Sequence, residues 1–267
     1  MAKKLNKLIA TSLFCGSIIS TAASSASALT IMLDPGHGGA SPGCVYTYDS
    51  EEFREKDLNL TLALILKEKL EKYDNIKVVL TRSGDETISL VDRAEIAKRN
   101  KANVLISLHF NAHAVGKTTN EGGSIVIATQ SHHNAQIYDT SHKLARCIID
   151  KIKSVCGIEP YTPSTETKLP EDFDKSKITL EDGILTRESA DHSYTPEFKA
   201  DYYGIIRLLI EKGIPSIIIE HCYLSSETDF KNHIKPEGSL QKFAEADAQA
   251  ITETFGLKLK PQPETVA

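Results

Sequence analysis

The chain alternates between short apolar runs and longer stretches in which apolar residues recur at helical spacing. The runs have the length of buried strands, and polar or glycine-containing segments follow them. Five strands are predicted in this way, at 29–33, 76–80, 104–108, 123–129 and 216–220. The last run is rich in isoleucine, a β-branched residue, and therefore suits the centre of a sheet.

Four helices are predicted from the remaining periodic segments. Leu58 to Leu70 carries apolar residues every three or four positions, with Lys and Glu between them. Ser89 and Asp92 resemble a capping box at the start of a second helix, which runs towards Lys101. The other two helices are predicted over residues 134–155 and 239–255.

Two segments do not fit this alternation. Tyr202 to Arg207 is compatible with strand or helix, and its Tyr-Tyr-Gly-Ile-Ile sequence favours a strand. Residues 157–183 are polar and aperiodic, which predicts a functional surface loop or disorder. Because strands and helices alternate elsewhere, we predict one α/β domain with a mostly parallel sheet and no appended binding module.

The first 28 residues have the features of a secretory signal peptide. Three lysines precede an apolar core at residues 8–19, and residues 26–28 form an Ala-Ser-Ala cleavage site. The core is shorter than the roughly 20 residues of a membrane span, and no later stretch is suitable. We expect export to the cell wall or periplasm, with an uncleaved anchor as the alternative. The expected organisation is a signal peptide at 1–28, a catalytic domain at 29–256 and a flexible tail at 257–267.

Charge and cysteine content narrow the class of partner. The first 28 residues hold three lysines and no acid, so the net charge of -5 becomes -8 without them. An acidic protein without a basic stripe is not expected to bind nucleic acid. The cysteines of the domain include no Cys-x-x-Cys pattern, and either free thiols or a disulfide bridge is compatible with their spacing. They are Cys44, Cys147, Cys156 and Cys222.

Three polar residues of types found in catalytic and metal sites lie at or just after the ends of predicted strands. His37 follows the first strand, His109 follows the run at 104–108, and Glu220 ends the run at 216–220. Ligands of open parallel sheets bind beyond these strand ends, and two imidazoles with a carboxylate match a catalytic zinc site. From these residues alone, an ordinary loop histidine or a buried Glu220 paired with an arginine remains an alternative.

A set of five motifs in order resembles a known enzyme family. The motifs are Asp34-Pro-Gly-His-Gly-Gly39; Glu55-Lys-Asp-Leu-Asn-Leu60; Leu80-Thr-Arg82 with Leu90 to Arg93; Ser107-Leu-His-Phe-Asn-Ala112; and Pro215 to Ser225. Together they resemble the zinc-dependent N-acetylmuramoyl-L-alanine amidases of the third type. The resemblance covers about residues 30–255. It implies a twisted sheet flanked by helices, and cleavage of the amide between N-acetylmuramic acid and L-alanine in peptidoglycan.

The resemblance also assigns roles to four residues. It implies that His37, Glu55 and His109 hold Zn²⁺ and that Glu220 is the catalytic acid/base. Without it, Glu55 would be interpreted as an acid favoured by the dipole at a helix start. The sequence departs from the family pattern after Glu220, where residue 226 is serine rather than asparagine, and this puts a loop contact in doubt.

The other candidate residues have less specific patterns. His221 alternates to the opposite face from Glu220 and is predicted to be structural, and His113 is not expected to bind metal because it follows a strand. Asn111 and Arg207 are equally compatible with substrate binding and with a plain surface position. The remaining histidines are predicted to lie at the surface; they are His132, His133, His142, His192 and His233.

Two alternative functions follow from the same residues. One is a non-catalytic wall-binding protein, or an amidase whose site depends on a protein regulator. The other is a metallopeptidase that cuts within the stem peptide. All interpretations share peptidoglycan or its muropeptides as partner, and none includes a membrane-spanning segment after signal cleavage.

Overall fold

The structure is a computed structural model, and it describes residues 28–113, 122–130, 134–162, 178–188 and 201–261. Strands within these ranges are β1 (Leu29–Pro35), β2 (Val45–Tyr48), β3 (Glu51–Arg54), β4 (Ile76–Leu80), β5 (Val104–Asn111), β6 (Ile125–Ile127), β7 (Ile178–Glu181), β8 (Ile184–Arg187) and β9 (Ser216–Tyr223). The α-helices are α1 (Glu55–Leu70), α2 (Leu90–Arg99), α3 (Ala135–Lys151), α4 (Gly204–Ile210), α5 (Glu227–Asp229) and α6 (Ser239–Phe255). Short π-helical turns follow α3 and α5.

A seven-stranded sheet forms the centre of the domain, in the order β4-β1-β5-β9-β6-β8-β7. The first four strands are mutually parallel, and β6 joins the sheet antiparallel to β9. Strand β8 is parallel to β6, while β7 returns antiparallel at the edge. The prediction of one α/β domain with a mostly parallel sheet is therefore confirmed.

Helices cover both faces of the sheet because its central strands are apolar on both sides. Ile106 and Leu108 of β5 belong to the larger core, which α1, α3 and α6 complete. Leu105 belongs to the second core, under α2 and α4. The alternation of side chains along β5 thus places His109 on the α2 and α4 face, beside the C-terminal ends of the strands.

Most predicted elements are present close to their predicted bounds. Helix α6 spans Ser239–Phe255, and the Ser89 hydroxyl caps α2 by accepting a hydrogen bond from the Asp92 amide at 3.1 Å. The predicted strand over 202–207 is wrong, because this segment leads into the helix α4. Ile205, Ile206 and Leu209 lie on the buried side of α4. Burial of this helical stripe outweighs the β propensity of the isoleucines.

Two pairs of strands were not predicted. β2 and β3 form an antiparallel hairpin that runs directly into α1, and α1 begins at Glu55 rather than Leu58. β7 lies at the end of the stretch predicted to be irregular and pairs with β8. Both pairs are short, and only their partners in space distinguish them from loops.

Several expectations concern chain ends and thiols. Residues 1–27 and 262–267 lie outside the described residues, while residues 258–260 exchange backbone hydrogen bonds with Lys72 and Asp74. No helix in the described ranges has the length and apolar character needed to cross a membrane. The four cysteines of the domain are free thiols.

Candidate active site

The site lies where β1, β5 and β9 end next to the start of α1. His37 follows β1, and Glu55 is the first residue of α1. His109 of β5 and Glu220 of β9 are direct partners in the parallel register. Neighbouring strands of a sheet lie about 4.8 Å apart, so the sheet itself brings these two side chains together.

His37, Glu55 and His109 form a compact cluster of metal-ligating side chains. The two carboxylate oxygens of Glu55 lie 3.2 Å from His37 Nε2 and 2.8 Å from His109 Nδ1. One ligating atom from each residue lies within 4.8 Å of the others, so the group can hold a metal ion. The structure therefore brings together all three residues that the resemblance predicted as ligands.

Two glycines are required for these side chains to approach so closely. A β-carbon at Gly36 would lie 2.2 Å from the His109 ring, and one at Gly43 would lie 2.4 Å from Glu55 Oε2. Gly43 also has a φ of +68°, which glycine adopts without strain. These two glycines are thus part of the site.

Hydrogen bonds hold Glu55 in its ionised form. Its carboxylate accepts hydrogen bonds from the backbone amides of Cys44 at 2.8 Å and Phe110 at 3.3 Å. Burial opposes ionisation, but the two histidines hold the pKa of Glu55 well below its usual range. Burial also opposes the charge on His109, yet the nearby Glu55 and Glu220 raise its pKa. Protons and a metal ion would therefore compete for His109.

Glu220 differs from Glu55 in both pKa and hydrogen bonding. Burial raises the pKa of Glu220 to about 7, an effect that Glu55 reinforces and His109 opposes. Its Oε2 atom is buried, and it has no hydrogen-bond partner among the described residues. The predicted alternative of a Glu220–arginine ion pair is absent among these residues. A carboxyl group with a pKa near neutral pH suits proton transfer.

A buried polar network beneath the cluster was not predicted. Asp34 accepts hydrogen bonds from Thr81 at 2.6 Å and Ser107 at 2.7 Å, and it pairs with Arg93 at 2.5 Å. In the sequence, the feature that sets Asp34 apart is its position directly after an apolar run. Its partners lie 47 to 73 residues away, and only the fold brings them together.

A cavity of about 290 Å³ adjoins the cluster on the α2 and α4 side. His37 and His109 line one end, and Ile88, Leu90 and Ile205 contribute apolar walls. Asp34 and Arg93 also line the cavity, so the space beside the histidines has both apolar and charged walls.

The remaining predicted residues have other positions. His221 points to the opposite face, as predicted, and bonds to the His109 carbonyl and to Asp247, each at 3.0 Å. His113 is outside the cluster and stacks on Tyr223.

The prediction of a surface position for His142 is wrong, because it is buried, stacks on Tyr138 and bonds to the Thr129 carbonyl. His233 is partly exposed. His132, His133 and His192 lie outside the described residues.

Three polar residues near the strand ends have structural contacts. Asn111 lies at the end of β5 and accepts a hydrogen bond from the Ala112 amide at 2.8 Å. Arg207 is on α4 and donates to the Asp201 carbonyl at 3.1 Å. Ser226, where the family pattern has asparagine, caps α5 through the Asp229 amide. The loop is therefore held by serine instead.

Comparison with known proteins identifies the family. The sequence model of Amidase_3, described as N-acetylmuramoyl-L-alanine amidase, matches residues 31–253, which include the whole site. The chain belongs to this family. It is an N-acetylmuramoyl-L-alanine amidase, a hydrolase that acts on peptidoglycan.

The similarity to individual relatives extends over most of this chain. A Buchnera aphidicola (subsp. Baizongia pistaciae) protein that is assigned to the same enzyme class is 26% identical to this chain. The match covers 87% of this chain and 99% of that protein. The structure of an N-acetylmuramoyl-L-alanine amidase from Clostridium difficile 630 matches with a TM-score of 0.62 at 26% identity, covering 86% of this chain and 98% of that one. The CwlD amidase of Clostridioides difficile, solved in complex with the GerS lipoprotein, matches with a TM-score of 0.57 at 26% identity, covering 85% and 98%.

Proposed function

We propose that this amidase is a zinc enzyme that hydrolyses the amide between N-acetylmuramic acid and the first L-alanine of the stem peptide. The observation that carries the proposal is the convergence of His37, Glu55 and His109 within 4.8 Å. Two imidazoles and one carboxylate are a common ligand set of catalytic zinc sites, which keep a further position open.

The donor groups fit a zinc ion in charge as well as in type. Glu55 is held in its ionised form, and the two rings would bind as neutral imidazoles, leaving a positive charge on the site. A bound zinc ion would act as a Lewis acid that polarises the substrate carbonyl and acidifies water. The His109 ring is held by Glu55 at 2.8 Å, and the backbone carbonyl of His109 accepts a hydrogen bond from the His221 side chain.

Glu220 would carry the proton during hydrolysis. As a carboxylate it takes a proton from the attacking water, and as a carboxylic acid it gives that proton to the leaving nitrogen. This role is supported by its raised pKa of about 7 and by its Oε2 atom, which has no hydrogen-bond partner in the described ranges of the chain. Water attacks directly in this scheme, so neither Ser107 nor a cysteine is required as a nucleophile.

Product analysis tests the bond that is cleaved. Purified protein is incubated with muropeptides, and the products are separated and identified by mass spectrometry. The proposal predicts free L-alanine amino termini on intact stem peptides, together with glycans that carry free lactyl carboxylates. Cleavage at a peptide bond within the stem would instead identify a metallopeptidase and contradict the proposal.

The site of action is proposed from the N-terminal segment. Residues 1–28 would direct export and be removed, leaving a catalytic domain at 29–256 in the cell wall or periplasm, with residues 257–267 as its tail. N-terminal sequencing of the protein recovered from the producing cells tests this. Leu29 at the N-terminus supports cleavage, and an intact Met1 contradicts it.

A protein regulator is proposed on one comparison. The structural neighbour CwlD is described in complex with the GerS lipoprotein, so an amidase of this fold can bind a protein partner. The test is the activity of the purified chain alone against its activity in an extract of the producing cells. Full activity without any other protein would contradict a requirement for a regulator.

A further inference from the structure

The loop that carries His37 is held by backbone hydrogen bonds, by Asn59, which donates to the Gly36 carbonyl at 3.2 Å, and by two cationic side chains. Arg82 donates from Nε to the Pro35 carbonyl and from Nη2 to the Gly36 carbonyl, both at 2.9 Å. Arg93 donates from Nη1 to the Pro35 carbonyl at 2.9 Å and from Nη2 to the His37 carbonyl at 2.5 Å. Three successive carbonyls are thus held by two guanidinium groups, up to and including that of His37.

The same guanidinium groups are anchored to the elements around the loop. Arg82 Nη2 also donates to the Lys56 carbonyl at 2.8 Å, next to Glu55 at the start of α1. Arg93 belongs to α2 and pairs with Asp34 at 2.5 Å. Both arginines are almost completely buried, with exposed fractions of 3% and 4%. They therefore connect the His37 loop to β1, α1 and α2.

The backbone of His37 needs such support. Its φ is +60°, in the left-handed region that residues other than glycine rarely adopt. A conformation of this kind persists where the surrounding contacts impose it. Ser41 Oγ lies 3.0 Å from Nδ1 and also holds the ring. Because the backbone sets where the ring is attached, the position of Nε2, 3.2 Å from Glu55, depends in addition on how the carbonyl groups are held.

We propose that Arg82 and Arg93 are positioning residues for the metal centre. Their guanidinium groups fix the backbone of the His37 loop, so that the imidazole lies beside Glu55 and His109. This inference rests on the proposed function, because it concerns the affinity of the site for zinc. Lysine would keep the positive charge, but its single ammonium group cannot reproduce the planar, multiply donating geometry of arginine.

The test measures zinc affinity, with Arg93→Lys and Arg82→Lys as separate variants. Zinc dissociation constants are determined by competition with a chromophoric chelator, and circular dichroism and thermal unfolding are recorded for each protein. We expect about 10- to 100-fold weaker zinc binding in each variant, the range found when groups that orient metal ligands are removed. Two variants are used so that the test does not depend on the folding of one.

A stability control separates positioning from general destabilisation. Leu144 is fully buried in α3, on the opposite face of the sheet from the His37 loop, so Leu144→Ala lowers stability without touching that loop. We expect this variant to keep the zinc affinity of the wild type. Comparable loss of affinity in Leu144→Ala would overturn the inference, because the effect would then follow stability.

The outcomes distinguish this inference from the proposed function. Tight zinc binding by the wild type and equally tight binding by both folded arginine variants would overturn the positioning role alone. Failure of the wild type to bind zinc would overturn the proposed function together with it. Weakened binding confined to the arginine variants supports both.

Discussion

Glu220 and His109 are partners on adjacent strands, yet their side chains have different hydrogen-bonding states. His109 is fixed by a 2.8 Å contact with Glu55, whereas the Oε2 atom of Glu220 has no partner in the described part of the chain. A ligand must be held in one orientation, while a group that transfers protons must keep an oxygen free to hydrogen-bond with the reacting groups. The two states fit the two roles proposed for these residues.

Substitution of Glu220 by glutamine should separate catalysis from metal binding. The amide of Glu220→Gln can neither accept nor return a proton, so we expect a loss of about 10²- to 10⁴-fold in turnover. Zinc content, measured by mass spectrometry of the purified protein, should remain that of the wild type. Glu227→Gln, at an exposed position just after β9, is the matched control. Near-normal turnover of Glu220→Gln would remove Glu220 from the mechanism.

The histidines can be distinguished by zinc content and activity measured together. His37→Ala and His109→Ala should lower both, because each removes one of three protein ligands. His113→Ala should leave both close to the wild-type values, since His113 stacks on Tyr223 outside the cluster. If His113→Ala lost the metal and His109→Ala kept it, the assignment of ligands would be wrong.

The loss of activity at acid pH should reflect protonation of Glu220. The base must be ionised, and burial raises the pKa of Glu220 to about 7, so activity should fall as pH decreases through this range. A nearby cation favours the carboxylate, so the midpoint in the zinc enzyme should be no higher than about 7. Once the site is saturated with zinc, adding more zinc should not change the pH at which activity is lost. A shift to lower pH with added zinc would show that metal loss is limiting.

Sequence patterns indicated some of the site residues directly and others only through the family resemblance. Strand ends indicated His37, His109 and Glu220, because parallel strands collect their C-terminal ends at one edge. Glu55 depended on the family resemblance, since an acid at a helix start is common for other reasons. Asp34 and its arginine partner could not be paired, because 59 residues separate them and only the fold brings them together.

At the level of elements, buried strands and long helices were the most predictable. The runs that became β1, β4, β5 and β9 are apolar because both faces of the sheet are covered. Short elements were not predictable in the same way. The hairpin of β2 and β3 is stabilised by partners distant in sequence, with Phe53 and Tyr46 packing on Phe230. Helix α4 was likewise not predictable, because its buried residues Ile205, Ile206 and Leu209 pack against distant parts of the second core.

The ion pair between β1 and α2 gives a stability prediction. Burial opposes ionisation of Asp34, but Arg93, Thr81 and Ser107 hold the pKa of this carboxyl below its usual value. Removing one partner of a buried pair typically costs about 3–5 kcal/mol, so Asp34→Asn should lower the free energy of unfolding by this amount near neutral pH.

The pH dependence of this effect has a definite sign. Because the pKa of Asp34 is depressed on folding, its contribution is complete above the ordinary value of 3.8 and is lost as pH falls through the lower folded value. Urea unfolding of both proteins between about pH 7 and about pH 2 measures the difference. It should shrink towards acid pH, and a difference that grows there would contradict the ion-pair account.

At the level of the whole molecule, the domain places chemistry at one edge of a rigid sheet. Four mutually parallel strands end together, and β5 and β9 carry His109 and Glu220 near that edge. The loop after β1 and the start of α1 add His37 and Glu55. The fold class was predictable because it follows from alternating strands and helices along the chain. The antiparallel insertion of β6 between β9 and β8 was not, since strand order depends on contacts between distant segments.

The central claim is that amide cleavage depends on a metal ion held at this site. The direct measurement is muropeptide hydrolysis by one preparation assayed as isolated, after verified removal of metal, and after restoration with zinc alone. The account predicts that products with free L-alanine amino termini disappear on metal removal and return with zinc. Undiminished formation of the same products by the verified metal-free protein at neutral pH would contradict it.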